Sequence, residues 1–504
     1  MSQNEVQYAG EYQLHRCELI SSSGVQSEIT NLIIEINLFE DIFKSTMTGS
    51  VIFADTNNLV DNMPIVGQEF LAFKVTTPSL EQSDLDFDYT ENVFCVYEIG
   101  SRNSGTNSEM VEIKICSPEL LRNERTRVSK SFESTVSETV LSLLTDPKYI
   151  NTKKDIFIEP SLGIRKIVSP NFHPFSLIKT LSQEAIANNN NSPHFLFFEN
   201  TKGFHFRSLQ SLYSEGISGQ FHYGEKGFED KYDASGSSGK IAQGYKRILQ
   251  FTTPQKNNVL QDINGGMLGS TLIMHDIYNK KYTKSTFSYF DNHNDFERLE
   301  GDTQFYAPTK YNRVIIDDQN NTVGSFTDAR IHVHPTSTTV DDIDAQYMEE
   351  NPETVENLVS QGVDRSLAKA AIEQRQQERG QDQTNPNYAS NKADKWLLQR
   401  QQRIHELNTG MVVNMTINGN TTVAVGQIID LSIPVPGVDH ENIGKSKQQS
   451  GRYLISKLRH TFSQPNRTHV ISLQATKDSS PVELESKASG QEPKKSGSSR
   501  VYQV

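Results

Sequence analysis

"SGRYLISKLRHTF", Ser450–Phe462, is followed by a polar stretch, "SQPNRTH", and then by a second strand-like run, "VISLQAT", Val470–Thr476. The pair reads as an antiparallel hairpin. It concentrates Arg452, Lys457, Arg459 and His460 in a chain whose net charge is −13. Strict alternation sends Arg452, Leu454, Leu458, His460 and Phe462 to one side and Tyr453, Ile455, Lys457 and Arg459 to the other. Neither side is then wholly polar. The expectation is a barrel wall whose basic groups reach acidic neighbours, rather than a basic stripe of the nucleic-acid-binding kind.

The preceding run "GQIIDLSIP" and the downstream "HVISLQATKD" extend this β region. A second β region lies near the N-terminus. "NLIIEINLFEDIF", "MTGSVIFAD", "PIVGQEFLAFKVTT", "ENVFCVYEIG" and "SEMVEIKICS" are short strand candidates separated by "DTNN", "NMP", "TTPS" and "SRNSGTNS". In the last of them Met110, Glu112, Lys114 and Cys116 alternate with Val111, Ile113 and Ile115. Between the β regions the period changes. Ser117-Pro118 is a helix start. Val136, Val140, Leu143 and Leu144 recur at helical spacing before Asp146-Pro147, and Leu177, Ile178, Leu181 and Ile186 define another helix. "HFLFFEN" and "GFHFRSL" then form a hairpin.

The expected fold is mixed β and α+β: two tube-type antiparallel β-barrel domains with an α+β domain between them and a helical insertion. Residues 1–117 form the first barrel, 118–212 the α+β domain and 213–334 the first part of the second barrel. Residues 335–392 form a helical or partly disordered insertion. Residues 393–478 carry a helix, with Trp396, Leu397, Ile404 and Leu407 inward and Gly410 as a left-handed cap, and the remaining strands. Residues 479–504 are a flexible tail, and "SGSSG" at 235–239 is a mobile linker.

Length and composition narrow the function. The 504 residues suffice for three to four domains, and hydrophobic residues make up only 35 %. Mean hydropathy is −0.56 and the isoelectric point is near 5.5, which disfavours general nucleic-acid binding. Cys17, Cys95 and Cys116 form no CxxC or zinc spacing and are expected as buried, reduced thiols. The N-terminus lacks a signal-peptide pattern and no apolar run reaches membrane-span length. GxSxG, HExxH and DxDxDG motifs are absent from the sequence. His332 and His334 share one strand face at metal-ligand spacing, but no third ligand lies near them in sequence, and Pro335 is expected to end the strand. Gly265–Gly269 reads as a turn, and the basic residues of "RNERTR" as a solvated helix face. No catalytic residue, metal or cofactor is expected.

The order of parts resembles the baseplate central hub protein of contractile-tailed phages of the T-even type, whose module also forms the hub part of type VI secretion spike proteins. Gly49, Phe53, Asp55, Pro64, Gly67 and Glu69 carry the resemblance in the first β region. Gly426, Gly451, Arg452, Tyr453, His460 and Phe462 carry it in the last. The resemblance implies a homotrimer that presents six related barrels with quasi-sixfold symmetry. It would join a hexameric tail tube or tube-initiator protein to a trimeric central spike, with wedge proteins around it. DNA would pass through the lumen without specific binding, and no small-molecule substrate is implied. An acidic lumen is the electrostatic expectation, and Lys457 and Arg459 are the expected inter-barrel or inter-subunit contacts. Such a chain belongs to the virion and is made in the host cytoplasm. A phage-related injection device, or a tail-associated peptidoglycan-degrading enzyme, are the competing readings.

Overall fold

The computed structural model describes residues 8–479 except 57, 64, 79–83, 88–91, 106–108, 225–236, 256–257, 277–279, 301–326, 337–396 and 436–444. Pro64, Trp396, nearly all of the expected insertion and the tail from residue 480 therefore lie outside the described residues.

The N-terminal region supplies β1 (Gln13–Ile20), β2 (Gln26–Glu28), β3 (Ile33–Asp41), β4 (Thr48–Asp55), the one-turn helix α1 (Leu59–Asn62), β5 (Phe70–Thr76), β6 (Leu85–Phe87), β7 (Phe94–Ser104) and β8 (Glu109–Cys116). Alternation makes these strands two-faced. In β8, Val111, Ile113 and Ile115 are buried, while Met110 is exposed and Glu112 and Lys114 are half-buried. The inward residues join one core with Cys17, Leu19, Ile36, Leu38, Phe53 and Phe73.

The middle region contains α2 (Pro118–Arg125), β9 (Ser131–Thr135), α3 (Val136–Thr145), β10 (Ile156–Ile158), β11 (Ile164–Val168), α4 (Pro174–Glu184), β12 (Phe195–Asn200), β13 (Gly203–Ser208) and α5 (Leu209–Tyr213). A capping box starts α3: Thr135 Oγ1 accepts from the Glu138 N–H at 3.2 Å, and the Glu138 carboxylate accepts from the Thr135 N–H at 3.0 Å. The helix α4 ends at Glu184, so Ile186 lies beyond the helix that its spacing predicted. Val140, Leu143, Ile178, Leu181, Phe195 and Phe204 share a separate core.

The C-terminal region comprises β14 (Ile217–His222), α6 (Ser237–Lys246), β15 (Ile248–Gln255), α7 (Val259–Gly265), β16 (Gly269–Asp276), β17 (Lys281–Ser288), β18 (Ile331–Thr336), α8 (Leu397–Thr409), β19 (Met411–Asn418), β20 (Ile428–Ser432), β21 (Gly451–Ser463) and β22 (Thr468–Lys477). The helix α6 begins inside the "SGSSG" run read as a linker. Pro335 does not end its strand. It sits within β18, an edge strand of the sheet β17-β16-β18, where its missing N–H is tolerated. Gly410 is not a left-handed cap, because its φ is not positive. It is needed for space, since a Cβ there would meet the Glu406 carbonyl oxygen at 2.5 Å.

One sheet unites the first and last regions. Its spine runs β15-β19-β22-β21-β3-β4-β8-β7-β5-β1-β2. The opening stretch, β21, is the seam. Along one edge it pairs with β22 from Leu454 to Ser463. Along the other it pairs with β20 through Leu454, and with β3 from Lys457 onward. The handover occurs at Ser456: Ile455 exchanges hydrogen bonds with Gly426 and Gln427, while the Ser456 carbonyl accepts from the Ile42 N–H at 3.1 Å. The cores interlock across it. Phe462 enters the N-terminal core, and Ile42 enters the C-terminal one.

The handover needs a β-bulge between Ile455 and Lys457, and one extra residue reverses the facing of all that follows. Strict alternation therefore fails in β21. Tyr453, Ile455, Leu458, His460 and Phe462 face inward together and are buried. Arg452, Lys457 and Arg459 share the opposite side and are exposed, while Leu454, which follows Arg452 on that side, is buried in the C-terminal core. The basic residues are gathered on one face rather than divided between two.

Candidate functional site

The outer face of the seam sheet is the surface that this bulge creates. Register places Gln250, Thr416, Ser472, Arg459, Phe39 and Thr48 in one row across six strands, β15 to β4. Thr252, Asn414, Gln474, Lys457 and Asp41 form the next row. Most of these side chains are hydroxyls or amides, with few charges. They line a shallow concavity of about 790 Å³ that crosses from the C-terminal strands onto the N-terminal ones.

Arg459 meets amide and acidic groups of the same chain, and Lys457 and Arg452 stand across the ladder from carboxylates. Arg459 Nε donates to Asn37 Oδ1 at 3.0 Å, and its guanidinium lies 3.5 Å from Glu35 and over the Phe39 ring. Lys457 stands directly opposite Asp41, and Arg452 opposite Asp430. Farther along the sheet, Lys114 reaches Glu98 at 2.7 Å. Arg459 thus bridges the two β regions of one chain.

The other positions singled out in the sequence fall in two places and form no catalytic cleft. Phe53 is core. A Cβ on Gly49 would meet the Asn37 carbonyl oxygen at 2.5 Å, so the β3–β4 approach requires glycine. Asp55 is buried and accepts from the Leu59 and Val60 N–H groups at 2.7 and 3.0 Å, holding the start of α1. Glu69 is fully buried, and its carboxylate accepts from the N–H groups of Val66, Gly67 and Gln68 at 2.7, 2.9 and 3.0 Å. Gly67 supplies the positive φ of that turn. Gly426, also at positive φ, packs against Phe198. The Arg452 N–H donates to the Glu300 carboxylate beside Gly451. Tyr453 donates its hydroxyl to the Gln449 carbonyl at 2.7 Å.

His460 is buried at the seam with its Nδ1 at 3.0 Å from His469 Nε2, and His469 stacks on Phe462 at 4.1 Å between ring centroids. Burial, then the neighbouring His460, hold the His469 imidazole well below its ordinary pKa. His332 and His334 point to the same side as Leu272 and Met274, their partners in β16. Among the described residues no group of three His, Cys, Asp or Glu side chains is placed to hold a metal ion, and no helix is long and apolar enough to cross a membrane. The three cysteines are buried free thiols. Burial pushes Cys95 up to about 11 and Cys116 up to about 12.

Three buried charged groups escaped sequence reasoning, because a carboxylate within a strand reads as solvent-facing. Glu40, 2 % exposed, accepts from the N–H groups of Thr201 at 3.2 Å and Val425 at 2.9 Å. One carboxylate of β3 thereby holds the middle and C-terminal regions together. Glu199 accepts from the Met47 N–H, from Ser117 Oγ and from Lys154 Nζ at 2.5 Å; Lys154 also lies 3.1 Å from Glu119. The third group joins Arg298 to Glu406 at 2.6 Å and Arg403 to Asp478 at 2.9 Å, fastening α8 to the end of β22.

No family model matches the chain. In sequence it is similar to the probable baseplate hub protein gp334 of Vibrio phage KVP40, with 23 % identity over 270 residues, 54 % of this chain and 60 % of that protein. The chain thus spans less than two thirds of that relative's length. Its fold is similar to the tail protein of Neisseria meningitidis MC58, with 8 % identity, a TM-score of 0.46, and coverage of 94 % of this chain and 99 % of that one. It is also similar to the 43 kDa tail protein of prophage MuSo2 from Shewanella oneidensis, with 7 % identity, a TM-score of 0.45, and coverage of 92 % and 99 %. Both scores lie below 0.5, so the functional reading rests on the sequence relative and on the chain's own geometry.

Proposed function

We propose that this chain is the structural hub of a contractile tail baseplate: a homotrimeric ring that joins a hexameric tail tube to a trimeric central spike and forms part of the DNA conduit. The observation that carries the reading is the seam sheet. From β15 to β7 it runs through eight consecutive strands and both β regions. Among the described residues two strands of this run are incompletely paired: β15, the end of the spine, pairs only with β19, and β7, which meets β5 at Phe94 and Cys95, has its ladder beyond Val96 only on the β8 side. An edge strand with open N–H and C=O groups invites another strand. Two different edges at opposite ends make a head-to-tail contact that closes into a ring when the rotation permits.

The dimensions favour three copies. Eight strands at about 4.8 Å spacing give an arc of roughly 38 Å, so three copies close a circle roughly 37 Å across before strand tilt widens it. Two copies would close at roughly 24 Å, and inward side chains would remove about 10 Å from either figure. Three copies are then the smallest ring that leaves room for duplex DNA. Each copy contributes two β regions to it, which turns threefold symmetry into an approximate sixfold one at the tube-facing end.

The hydroxyl and amide rows of the outer face would line the lumen. Their mixed charges favour a near-neutral wall over the acidic one expected from net charge alone. Spike, tube and wedge proteins are the partners of this reading, and the chain acts as a scaffold in the virion rather than as a catalyst. The test is the mass of the assembly, measured on purified protein alone and with its cognate spike. A species of three copies is expected, and a chain that stays monomeric with the spike present overturns the proposal.

A further inference from the structure

We infer that Glu35, Asp41 and Glu98 act as electrostatic shields, neutralising the cations of the seam face so that passing DNA is not held. The inference rests on the conduit reading above. Its observations are the placement of charges on the sheet. Arg459 lies against Glu35, with both side chains partly exposed at 47 % and 32 %. Lys114 lies against Glu98, at 38 % and 49 %. Lys457 is exposed, and its partner across the ladder is Asp41. Each cation of these three pairs projects from a strand that the bulge or the register turns outward, and each has its carboxylate on a neighbouring strand.

Such exposed pairs add little to stability. Their effect is on what the surface attracts. A wall bearing only Lys114, Lys457 and Arg459, repeated in three copies, would bind phosphates through counterion release. With a carboxylate across from each of these three cations their local field is reduced within a Debye length; exposed Lys44, which also lines the concavity, is a fourth cation outside the three pairs, and the Ser, Thr, Asn and Gln side chains offer only neutral hydrogen bonding. Aspartate 41 is also held in place, since its Oδ1 accepts from the Phe43 N–H at 2.9 Å. Glutamate 35 is held by the Asn37 amide at 2.6 Å. Asp41 and Glu35 are therefore held in position by groups other than the cations they face.

The test is the triple variant Glu35→Gln, Asp41→Asn, Glu98→Gln, which keeps side-chain shape and one acceptor oxygen at each position. Binding of a mixed-sequence 30-base-pair duplex is read by fluorescence anisotropy at 50 and 200 mM salt, with assembly mass and circular dichroism measured on the same samples. The wild type is expected to bind negligibly. The variant is expected to bind at least tenfold more tightly at low salt, with a logarithmic salt slope of about −2.7 per copy engaged, three cations at about −0.9 each. A variant that folds and assembles yet binds DNA no better than the wild type overturns the shield inference and leaves the hub reading standing. A wild type that never forms a ring overturns the hub reading instead. The single variant Asp41→Asn guards against misfolding of the triple: the same anisotropy should show a smaller gain, and no gain in a folded protein counts against the shields.

Discussion

Replacing Glu40 by alanine should loosen the junction of all three regions at once. The carboxylate is 2 % exposed and accepts two backbone N–H groups, from Thr201 and Val425. Alanine leaves the buried Val425 N–H and the half-buried Thr201 N–H without their acceptor, at up to about 1–3 kcal/mol each. It also opens a small cavity beside Leu458, the residue opposite Glu40 across the ladder. A loss of about 3–6 kcal/mol follows. A chain with several cores need not unfold in one step, so a global midpoint is a poor readout. Native-state hydrogen exchange at the two amides is direct. If opening is local, a loss of 2–3 kcal/mol at Val425 accelerates its exchange by roughly 30- to 150-fold. The amide of Ile113, in the middle of β8, serves as the distant control. Glu40→Gln keeps one acceptor oxygen and should lose about half as much. Unchanged protection at Thr201 and Val425 in Glu40→Ala would refute the junction.

Removing Lys154 should be more damaging than its position in an irregular segment suggests. Lys154→Met leaves Glu119 and Glu199 facing each other in a buried site, and a loss of about 3–5 kcal/mol in thermal or urea unfolding is expected. Gly49→Ala forces a methyl group against the Asn37 carbonyl and should lower stability by about 1–3 kcal/mol, measured by urea unfolding. Acid should destabilise the fold through buried histidines. Burial lowers His205 to about 3 and holds His194 and His469 well below the ordinary value. Below about pH 6.5 the unfolded chain therefore binds protons that the folded chain refuses. Their contribution is complete above that pH and is lost as pH falls from about 6.5 toward 3. The His205→Gln variant should show a shallower fall between pH 6 and 4, and an unchanged slope would count against this account.

Local signals in the chain carried much of the architecture. Alternation in "SEMVEIKIC" gave the two faces of β8, and the Ser117-Pro118 and Asp146-Pro147 pairs placed the edges of α2 and α3. These depend on neighbours in sequence. The facing of Lys457 and Arg459 depends instead on the bulge at Ser456, which exists because β21 changes partner from β20 to β3. Those partners lie far apart in the chain, so alternation alone could not register the reversal. Glu40 and Glu199 were missed for a related reason. Each is a charged residue in an apolar run, and the N–H and ammonium groups that justify its burial come from remote segments. Gly410 shows a third case, where glycine is required by a close carbonyl rather than by a positive φ.

The central claim is that the seam sheet closes into a ring with its outer face toward the lumen. A cryo-electron microscopy map of the purified assembly tests it most directly. The account predicts three copies, with the β7 edge of each paired to the β15 edge of the next, and Lys114, Lys457 and Arg459 facing the channel beside their carboxylates. A ring built through other surfaces, with β7 and β15 left unpaired or the seam face turned outward, would contradict it.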